Sequence, residues 1–250
     1  MKVCQIKDIC IGEGKPKVCL PVVGVNEEEI LQQIESFKSF QYDLIELRID
    51  FYKDIHDDQK VNDLLYKINK KTNKPLLFTY RSLREGGQIQ LTDENYLKLI
   101  QTACVSQCID LVDIELMSGS VLVYQLVEIA HQNGVKVIMS NHDFEKTPTS
   151  DEMMNRLEKM EVLGADIAKM AVMPCNKKDV ISLLNITMET SHKLTIPLVT
   201  MSMGQLGVIS RITGELTGSA MTFASVQKAS APGQINVSDM QMLLEAIHHD

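Results

Sequence analysis

Short apolar runs alternate with longer amphipathic segments along the chain, and each kind of run predicts one kind of element. Apolar runs of about seven residues that contain β-branched side chains are typical of buried strands. Neighbouring runs start 22 to 35 residues apart, a spacing that suits one βα unit. We predict eight strands, at 18–24, 43–49, 75–81, 110–116, 135–141, 166–172, 196–202 and 218–224.

The segments between these runs carry helix signals. Asn26 precedes three glutamates and is a suitable N-cap. Either Thr149 or Ser150 caps a later helix. Gly134 and Gly164 each stand just before a strand, where a glycine commonly ends a helix. The amphipathic segments with these features predict helices at 26–37, 120–134, 149–164, 175–192 and 236–249.

The order of these elements indicates an α/β fold. The strands are nearly continuous apolar runs, as expected for a parallel sheet covered on both faces. Eight βα units in 250 residues favour a (β/α)8 TIM barrel, and we expect residues 1–250 to form one domain. No G-x-G-x-x-G motif follows the first strand, which argues against a dinucleotide-binding fold. Residues 1–14 predict a β-hairpin extension that covers the barrel floor.

Composition narrows the class of protein. The net charge is -8 and no lysine- or arginine-rich block is present, so we expect neither nucleic acid nor an anionic membrane surface as a partner. No run of about 18 apolar residues predicts a membrane span, and the first ten residues lack a signal-peptide core. The six cysteines contain no C-x-x-C pair. We therefore expect reduced, buried thiols in a cytoplasmic protein, with no metal site.

Lys169 stands out because it lies inside the apolar run 166–172. A lysine is rarely buried unless its charge is paired or used. An apolar environment favours the neutral amine, which attacks carbonyl carbon and forms a Schiff base. His142, predicted on the neighbouring strand, is placed to act as general acid and base, and Glu85 to hold its imidazole by a hydrogen bond.

Other charged residues also fall where predicted strands end. Catalytic groups of barrel enzymes lie at the carboxyl ends of the strands, and each buried charge is unfavourable unless it is paired. We therefore predict an active site at this rim, with arginines that hold a carboxylate. A purely structural ion network is the alternative, with Glu46 paired to Arg48 or Arg81. The remaining members of the rim set are Glu115, Arg211, Ser230 and Gln234.

At these residues the chain resembles the type I 3-dehydroquinate dehydratases (3-dehydroquinases). The resemblance rests on the stretches PLLFTYRSLREGG, VIMSNHDFEKTP, LGADIAKMAVMP, MSMGQLGVISRITGELTGSAMTFA and KASAPGQI. It implies a class I aldolase-like barrel, a homodimer, that works without a metal or nucleotide cofactor. It also implies syn elimination of water from 3-dehydroquinate to give 3-dehydroshikimate, the third step of the shikimate pathway.

The resemblance assigns a role to each matching residue. It implies that Lys169 forms the imine, that His142 moves protons, and that Glu85 supports His142. The chain departs from some relatives at Pro21, where they have serine, so no substrate contact is assigned there. The segment 228–235 is expected to act as a lid. The implied substrate contacts are Glu46, Arg48, Arg81, Arg211, Ser230 and Gln234, with Met203 and Phe223 as apolar pocket residues.

Two other functions remain open from the residues alone. A class I aldolase acting on a phosphorylated sugar would use the same lysine chemistry, with Gly204, Gly207, Gly214 and Gly218 near a phosphate site. A barrel that only binds or regulates is the second alternative, and an intact Lys169 and His142 argue against it.

Overall fold

Eight parallel barrel strands and the helices between them form most of the protein, and three short strands, two of them in an N-terminal hairpin, are added to the barrel. The structure is a computed structural model, and it describes residues 2–226 and 231–248. Within this part of the chain the strands, in order, are β1 (Cys4–Ile6), β2 (Ile9–Ile11), β3 (Lys17–Val22), β4 (Leu44–Arg48), β5 (Leu76–Thr79), β6 (Leu111–Glu115), β7 (Lys136–Asp143), β8 (Ile167–Val172), β9 (Leu198–Ser202), β10 (Met221–Ser225) and β11 (Ile235–Asn236).

The strands β3 to β10 form a ring. Parallel pairing runs from β10 through β3 and in chain order to β9. The ring closes just before β10, where Leu198 and Ser219 form a parallel bridge and the Ala220 N–H donates to the Leu198 carbonyl at 2.7 Å. The short β11 adds to β10. The predicted (β/α)8 barrel is confirmed.

Helices connect the strands and carry the predicted caps. The Asn26 side chain accepts from the Glu29 N–H, and Thr149 caps the helix that precedes Gly164. Gly134 and Gly164 follow their helices with φ of 73° and 91°. The described helices are α1 (Glu27–Ser36), α2 (Asp58–Lys71), α3 (Asp93–Val105), α4 (Ser120–Gln132), α5 (Ser150–Val162), α6 (Lys177–Lys193), α7 (Gly214–Thr217) and α8 (Val237–Ala246). In the described residues, no helix has the length and apolar character needed to span a membrane.

The N-terminal hairpin is present, and it packs against the amino-terminal end of the barrel. β1 and β2 pair antiparallel, from Cys4 opposite Ile11 to Ile6 opposite Ile9. These four side chains are buried in one cluster with the first inward-facing residue of each barrel strand. The hairpin therefore covers the barrel floor. The barrel residues at the floor end of this cluster, here called the floor cluster, are Cys19, Leu44, Leu77, Leu111, Ile138, Ile167, Val199 and Met221, and the cluster continues toward the other end of the barrel with Ala171, Met201, Met203 and Phe223.

An aspartate at the start of three strands ties neighbouring strands together at the floor. The carboxylate of Asp43 accepts the Val18 N–H at 2.7 Å, and that of Asp110 accepts the Leu76 N–H at 2.8 Å. Asp166 accepts the Val137 N–H in the same way at 2.9 Å. These bonds satisfy backbone donors at the strand starts and set the register of adjacent strands.

Side-chain alternation places polar groups at the other end of the barrel interior. Residues two apart on a strand face the same side, so the positions after the floor cluster also point inward. On β6 the sequence Leu111, Asp113, Glu115 passes from floor to rim. On β8 the corresponding residues are Ile167, Lys169 and Ala171. The apolar floor thus supports a layer of charged groups.

The six thiols are unpaired, and the prediction that they are buried is only partly right. Cys4, Cys19 and Cys104 are buried, but Cys175 is exposed. Cys175 precedes the capping residue of α6, Asn176, where the chain runs over the surface.

The floor cluster generates a stability prediction. Ile11 has no exposed surface, so Ile11→Ala should lower the free energy of unfolding by about 2–5 kcal/mol. Val3→Ala, in the exposed approach to the hairpin, should change it by less than about 0.5 kcal/mol. We propose that residues 1–250 form one domain, so urea denaturation should show one transition in each variant. An unchanged midpoint in Ile11→Ala would mean that the hairpin does not support the barrel.

Candidate active site

A cavity opens at the carboxyl ends of the barrel strands. Its wall combines charged side chains from several strands with apolar side chains from the last two barrel strands and the loops above them. This is the location at which barrel enzymes place their chemistry. The lining residues are Glu46, Arg48, Arg81, Glu85, Gly86, His142, Phe144, Lys169, Ala171, Met201, Met203, Arg211, Phe223, Ala231 and Gln234.

Lys169 lies at the bottom of this cavity, on β8. Its side chain is 4% exposed. The Nζ atom donates to Oδ2 of Asp113 at 3.2 Å and lies 3.8 Å from Oε1 of Glu46. It also lies 4.5 Å from the centre of the Phe223 ring, a cation–π contact. The amine is therefore held in a dry position with two carboxylates as its nearest anionic partners.

Asp113 connects Lys169 to Arg81. Its Oδ2 accepts from Nη2 of Arg81 at 2.8 Å, and its Oδ1 accepts from the Ser140 hydroxyl at 2.5 Å. Burial alone raises the pKa of this carboxyl, but the charges of Arg81 and Lys169 outweigh burial and hold the pKa below its usual value. Asp113 is therefore ionised and binds both cations.

The two arginines on β4 and beyond β5 are paired within the protein. Arg48 binds Asp50 through Nε at 2.8 Å and Nη2 at 2.9 Å. Arg81 binds Asp113 and also Glu115, with its Nη1 at 3.1 Å from Oε1. The alternative pairing of Glu46 with either arginine is wrong. Glu46 accepts instead from the Thr79 hydroxyl at 2.9 Å. Leu77 is the residue paired with Glu46 across the two strands, and Thr79, two residues further along β5, faces the same side.

His142 and Glu85 form a close pair. The Nδ1 atom of His142 lies 2.9 Å from Oε2 of Glu85, which also accepts the His142 backbone N–H at 2.9 Å. Burial, together with Arg81, Lys169 and Arg48, holds the pKa of His142 well below its usual value. Burial and the nearby Glu115 raise the pKa of Glu85 to about 8, against the opposing effect of Arg81. A proton shared between Oε2 of Glu85 and Nδ1 of His142 therefore links the two groups, and they titrate as a pair.

Arg211 differs from the other two arginines in its partners. It is 2% exposed, donates from Nη2 to the Pro232 carbonyl at 2.9 Å, and contacts the Met201 sulfur with Nη1 at 3.8 Å. Its Nε has no hydrogen-bond partner in the described structure, and no described carboxylate forms an ion pair with it. Burial lowers its pKa to about 10. An anion in the cavity would satisfy this cation.

Nearly all the residues singled out from the sequence converge on this cavity. Lys169, His142 and Glu85 lie together with Glu46 and the three arginines. Met203 and Phe223 form apolar wall, and Gln234 lies at the loop end of the wall. Ser230 falls outside the residues that the structure describes, as does the first part of the expected lid. The role of each of these residues stays a prediction.

Sequence reasoning missed the partners that hold these side chains. Asp113 received no role, although it precedes Glu115 by two residues and therefore faces the same side of the strand. Asp50 lies two residues after Arg48, and Asn141 directly precedes His142. Each lies within a few residues of a predicted site residue, which was the available signal. Among residues 2–226 and 231–248, no group of three or more histidine, cysteine, aspartate or glutamate side chains is arranged to hold a metal ion.

Comparison with known proteins agrees with this geometry. The family model described as type I 3-dehydroquinase matches residues 18–250. The 3-dehydroquinate dehydratase of Listeria innocua is 46% identical over 244 residues, which covers 97% of each chain. That of Clostridium botulinum is 45% identical over 251 residues and covers 100% of this chain and 99% of its own.

A solved structure shows the same fold. The type I 3-dehydroquinate dehydratase from Clostridium difficile, solved with covalent modified comenic acid, superimposes with a TM-score of 0.96 at 42% identity and covers 99% of both chains. A barrel of this shape alone would not distinguish one function from another, but the sequence match extends over nearly the whole chain. The protein belongs to the type I 3-dehydroquinase family.

Proposed function

We propose that this protein dehydrates 3-dehydroquinate to 3-dehydroshikimate through a Schiff base on Lys169, the third step of the shikimate pathway. The observation that carries the proposal is one cavity that holds a buried lysine amine, a hydrogen-bonded His142–Glu85 pair, and an arginine that forms an ion pair with none of the described carboxylates. The relatives named 3-dehydroquinate dehydratase support the assignment of the substrate.

The covalent step begins at Lys169. The amine must lose a proton before it attacks the C3 ketone, and the nearest acceptors are the carboxylates of Asp113 and Glu46. Attack forms a carbon–nitrogen bond and a carbinolamine. The proton that Lys169 gave up returns through His142 to the carbinolamine hydroxyl, which leaves as water, and His142 is neutral again. The resulting iminium keeps a positive charge where the ammonium was. Asp113 therefore stabilises the intermediate as it did the lysine.

The elimination uses the same histidine. With the shared proton on Nδ1, the free Nε2 of neutral His142 removes a proton from C2. The electrons of that C–H bond form the enamine. The enamine then expels the C1 hydroxyl, which takes the proton from His142 and departs as water. Hydrolysis of the iminium frees the product and restores Lys169. The neutral state of the imidazole, caused by burial and nearby cations, makes it available as the base.

Substrate binding depends on local charges because the protein is net negative and the substrate is an anion. Arg211 is the group we assign to the substrate carboxylate, since no carboxylate in residues 2–226 and 231–248 pairs with it. Arg48 binds Asp50 through Nε and Nη2. Its Nη1 donates to no described residue, so we assign it to a substrate hydroxyl. The other proposed contacts are Glu46, Arg81, Ser230 and Gln234, with Met203 and Phe223 against the ring carbons.

The assembly proposed here rests on the family resemblance, and the location rests on the cysteine content of the sequence. We propose a homodimer that acts in the cytoplasm. Sedimentation at micromolar concentration measures the assembly, and a monomer under those conditions would contradict the first part.

Trapping tests the covalent step. Borohydride added with 3-dehydroquinate should raise the intact mass by one reduced adduct, and peptide mapping should place it on Lys169. Lys169→Met should abolish both turnover and adduct. Lys136→Met is the matched control, because Lys136 lies on the adjacent strand but pairs with Asp166 at the floor, and it should react normally.

His142→Ala should lose roughly 10²–10⁴ in rate yet still form the adduct.

An adduct on another lysine would contradict the assignment of Lys169. Turnover of phosphorylated sugars, with none of dehydroquinate, would favour the aldolase alternative instead.

Substitution of Arg211 tests the carboxylate site. Arg211→Ala should raise KM strongly, by about 2–5 kcal/mol in binding, because a buried charge pair loses one partner. Arg211→Lys should recover little, since an ammonium cannot supply the paired N–H groups of a guanidinium. Steady-state kinetics measure both variants, with Arg84→Ala, outside the cavity lining, as the control. A KM close to that of the unmodified enzyme in both Arg211 variants would exclude this role.

A further inference from the structure

A chain of hydrogen bonds leads from the outer helix α5 to the His142–Glu85 pair. Arg156, on α5, donates from Nη1 to Oδ1 of Asn141 at 2.7 Å. Asn141 donates from Nδ2 to Oε1 of Glu85 at 3.3 Å. The other oxygen of Glu85, Oε2, accepts from His142. Arg156 does not line the cavity, and Asn141 is the residue that connects it to the His142–Glu85 pair by hydrogen bonds.

The arginine determines which way the Asn141 amide points. A guanidinium only donates hydrogen bonds, whereas an amide has one accepting and one donating end. The end that faces Arg156 must therefore be the oxygen, and the NH₂ group must face Glu85. Asn141 is 4% exposed, so water offers little competition for either end. Without Arg156, rotation of the amide by half a turn would place its oxygen against Glu85.

We propose that Arg156 and Asn141 are positioning residues that keep an N–H donor on Oε1 of Glu85 and so confine the shared proton to the line between Oε2 and His142. The geometry stands by itself, but its importance for turnover rests on the proposed function. In catalysis this arrangement keeps the proton of Glu85 available to the imidazole that works on the substrate.

The consequence of losing the donor has a definite sign. If an amide oxygen faced Oε1, two acceptor oxygens would meet, and a proton held between them would relieve the repulsion. Glu85 would then keep its proton to a higher pH. The proton would also lie on the oxygen remote from His142, where it cannot serve the imidazole.

Other charged groups around the pair would remain in place when Arg156 is changed. Arg156 also forms an ion pair with Glu152 on its own helix, and its Nη1 lies 3.9 Å from Asp143. The charges that face Glu85 and His142 from the barrel are Arg48 on β4, Arg81 beyond β5, Asp113 and Glu115 on β6, and Lys169 on β8. Neither Glu152 nor Asp143 contributes to the link with Glu85.

Nitrogen NMR on the ligand-free protein tests the proposal. The ¹⁵N shifts of His142 report where the pair gains or loses its proton, and the His142→Ala spectrum identifies the signals. In Arg156→Met the midpoint of this titration should move up by about one pH unit, and Asn141→Leu should move it the same way. Arg156→Lys, which retains a donor for the amide oxygen, should return it most of the way. The acid limb of the kcat profile with dehydroquinate should follow the same order.

The control variant is Glu152→Gln, which removes an ion pair of Arg156 but leaves its bond to Asn141. It should leave the midpoint unchanged, even where it lowers thermal stability. A midpoint in Arg156→Met equal to that of the unmodified protein would overturn the proposal, and so would an equal shift in Glu152→Gln. Because the titration needs no substrate, it stands even if the unmodified protein fails to turn over dehydroquinate, which would contradict the proposed function alone.

Discussion

The carboxylate of Asp113 is the interaction on which the site depends. It is fully buried and binds the Lys169 ammonium and the Arg81 guanidinium at once. A buried cation without a partner is strongly unfavourable, and removal of one partner typically destabilises a protein by about 3–5 kcal/mol. Lys169 can therefore lie inside an apolar barrel because Asp113 reaches its ammonium from β6, one strand beyond the neighbouring β7, and is itself held by Ser140 and Arg81.

The remaining charges follow from this arrangement. Arg48 has Asp50, and Arg81 shares Asp113 with Lys169 while also binding Glu115. Glu85 has a weaker share of these cations, since its oxygen lies 3.6 Å from Arg81, and burial raises its pKa. Arg211, in contrast, is a buried cation with no described carboxylate partner. The proton shared by Glu85 and His142 and the cation without a described anionic partner are the two features that the proposed reaction uses.

The barrel and the location of the site could be predicted from the sequence, but most of the contacts within the site could not. The barrel follows from the spacing of apolar runs, and the rim from the residues at their carboxyl ends. The partners of Arg48 and Arg81 could not be predicted, because they depend on strand register and on the direction of each side chain. Asp113 lies inside an apolar strand and was given no role, although Lys169 had been singled out because it too lies inside an apolar strand. Arg156 contacts Asn141 from helix α5, and neither the helical nor the strand pattern of the sequence indicates that contact.

The central claim is that Asp113 compensates the buried charge of Lys169, and a double-mutant cycle on the free energy of unfolding tests it directly. Asp113→Asn should destabilise the protein strongly. Lys169→Met added to that variant should restore part of the loss, because the charge left unpaired has been removed. The account predicts a coupling energy of about 1–3 kcal/mol between the two substitutions. Effects that simply add, within about 0.5 kcal/mol, would contradict it.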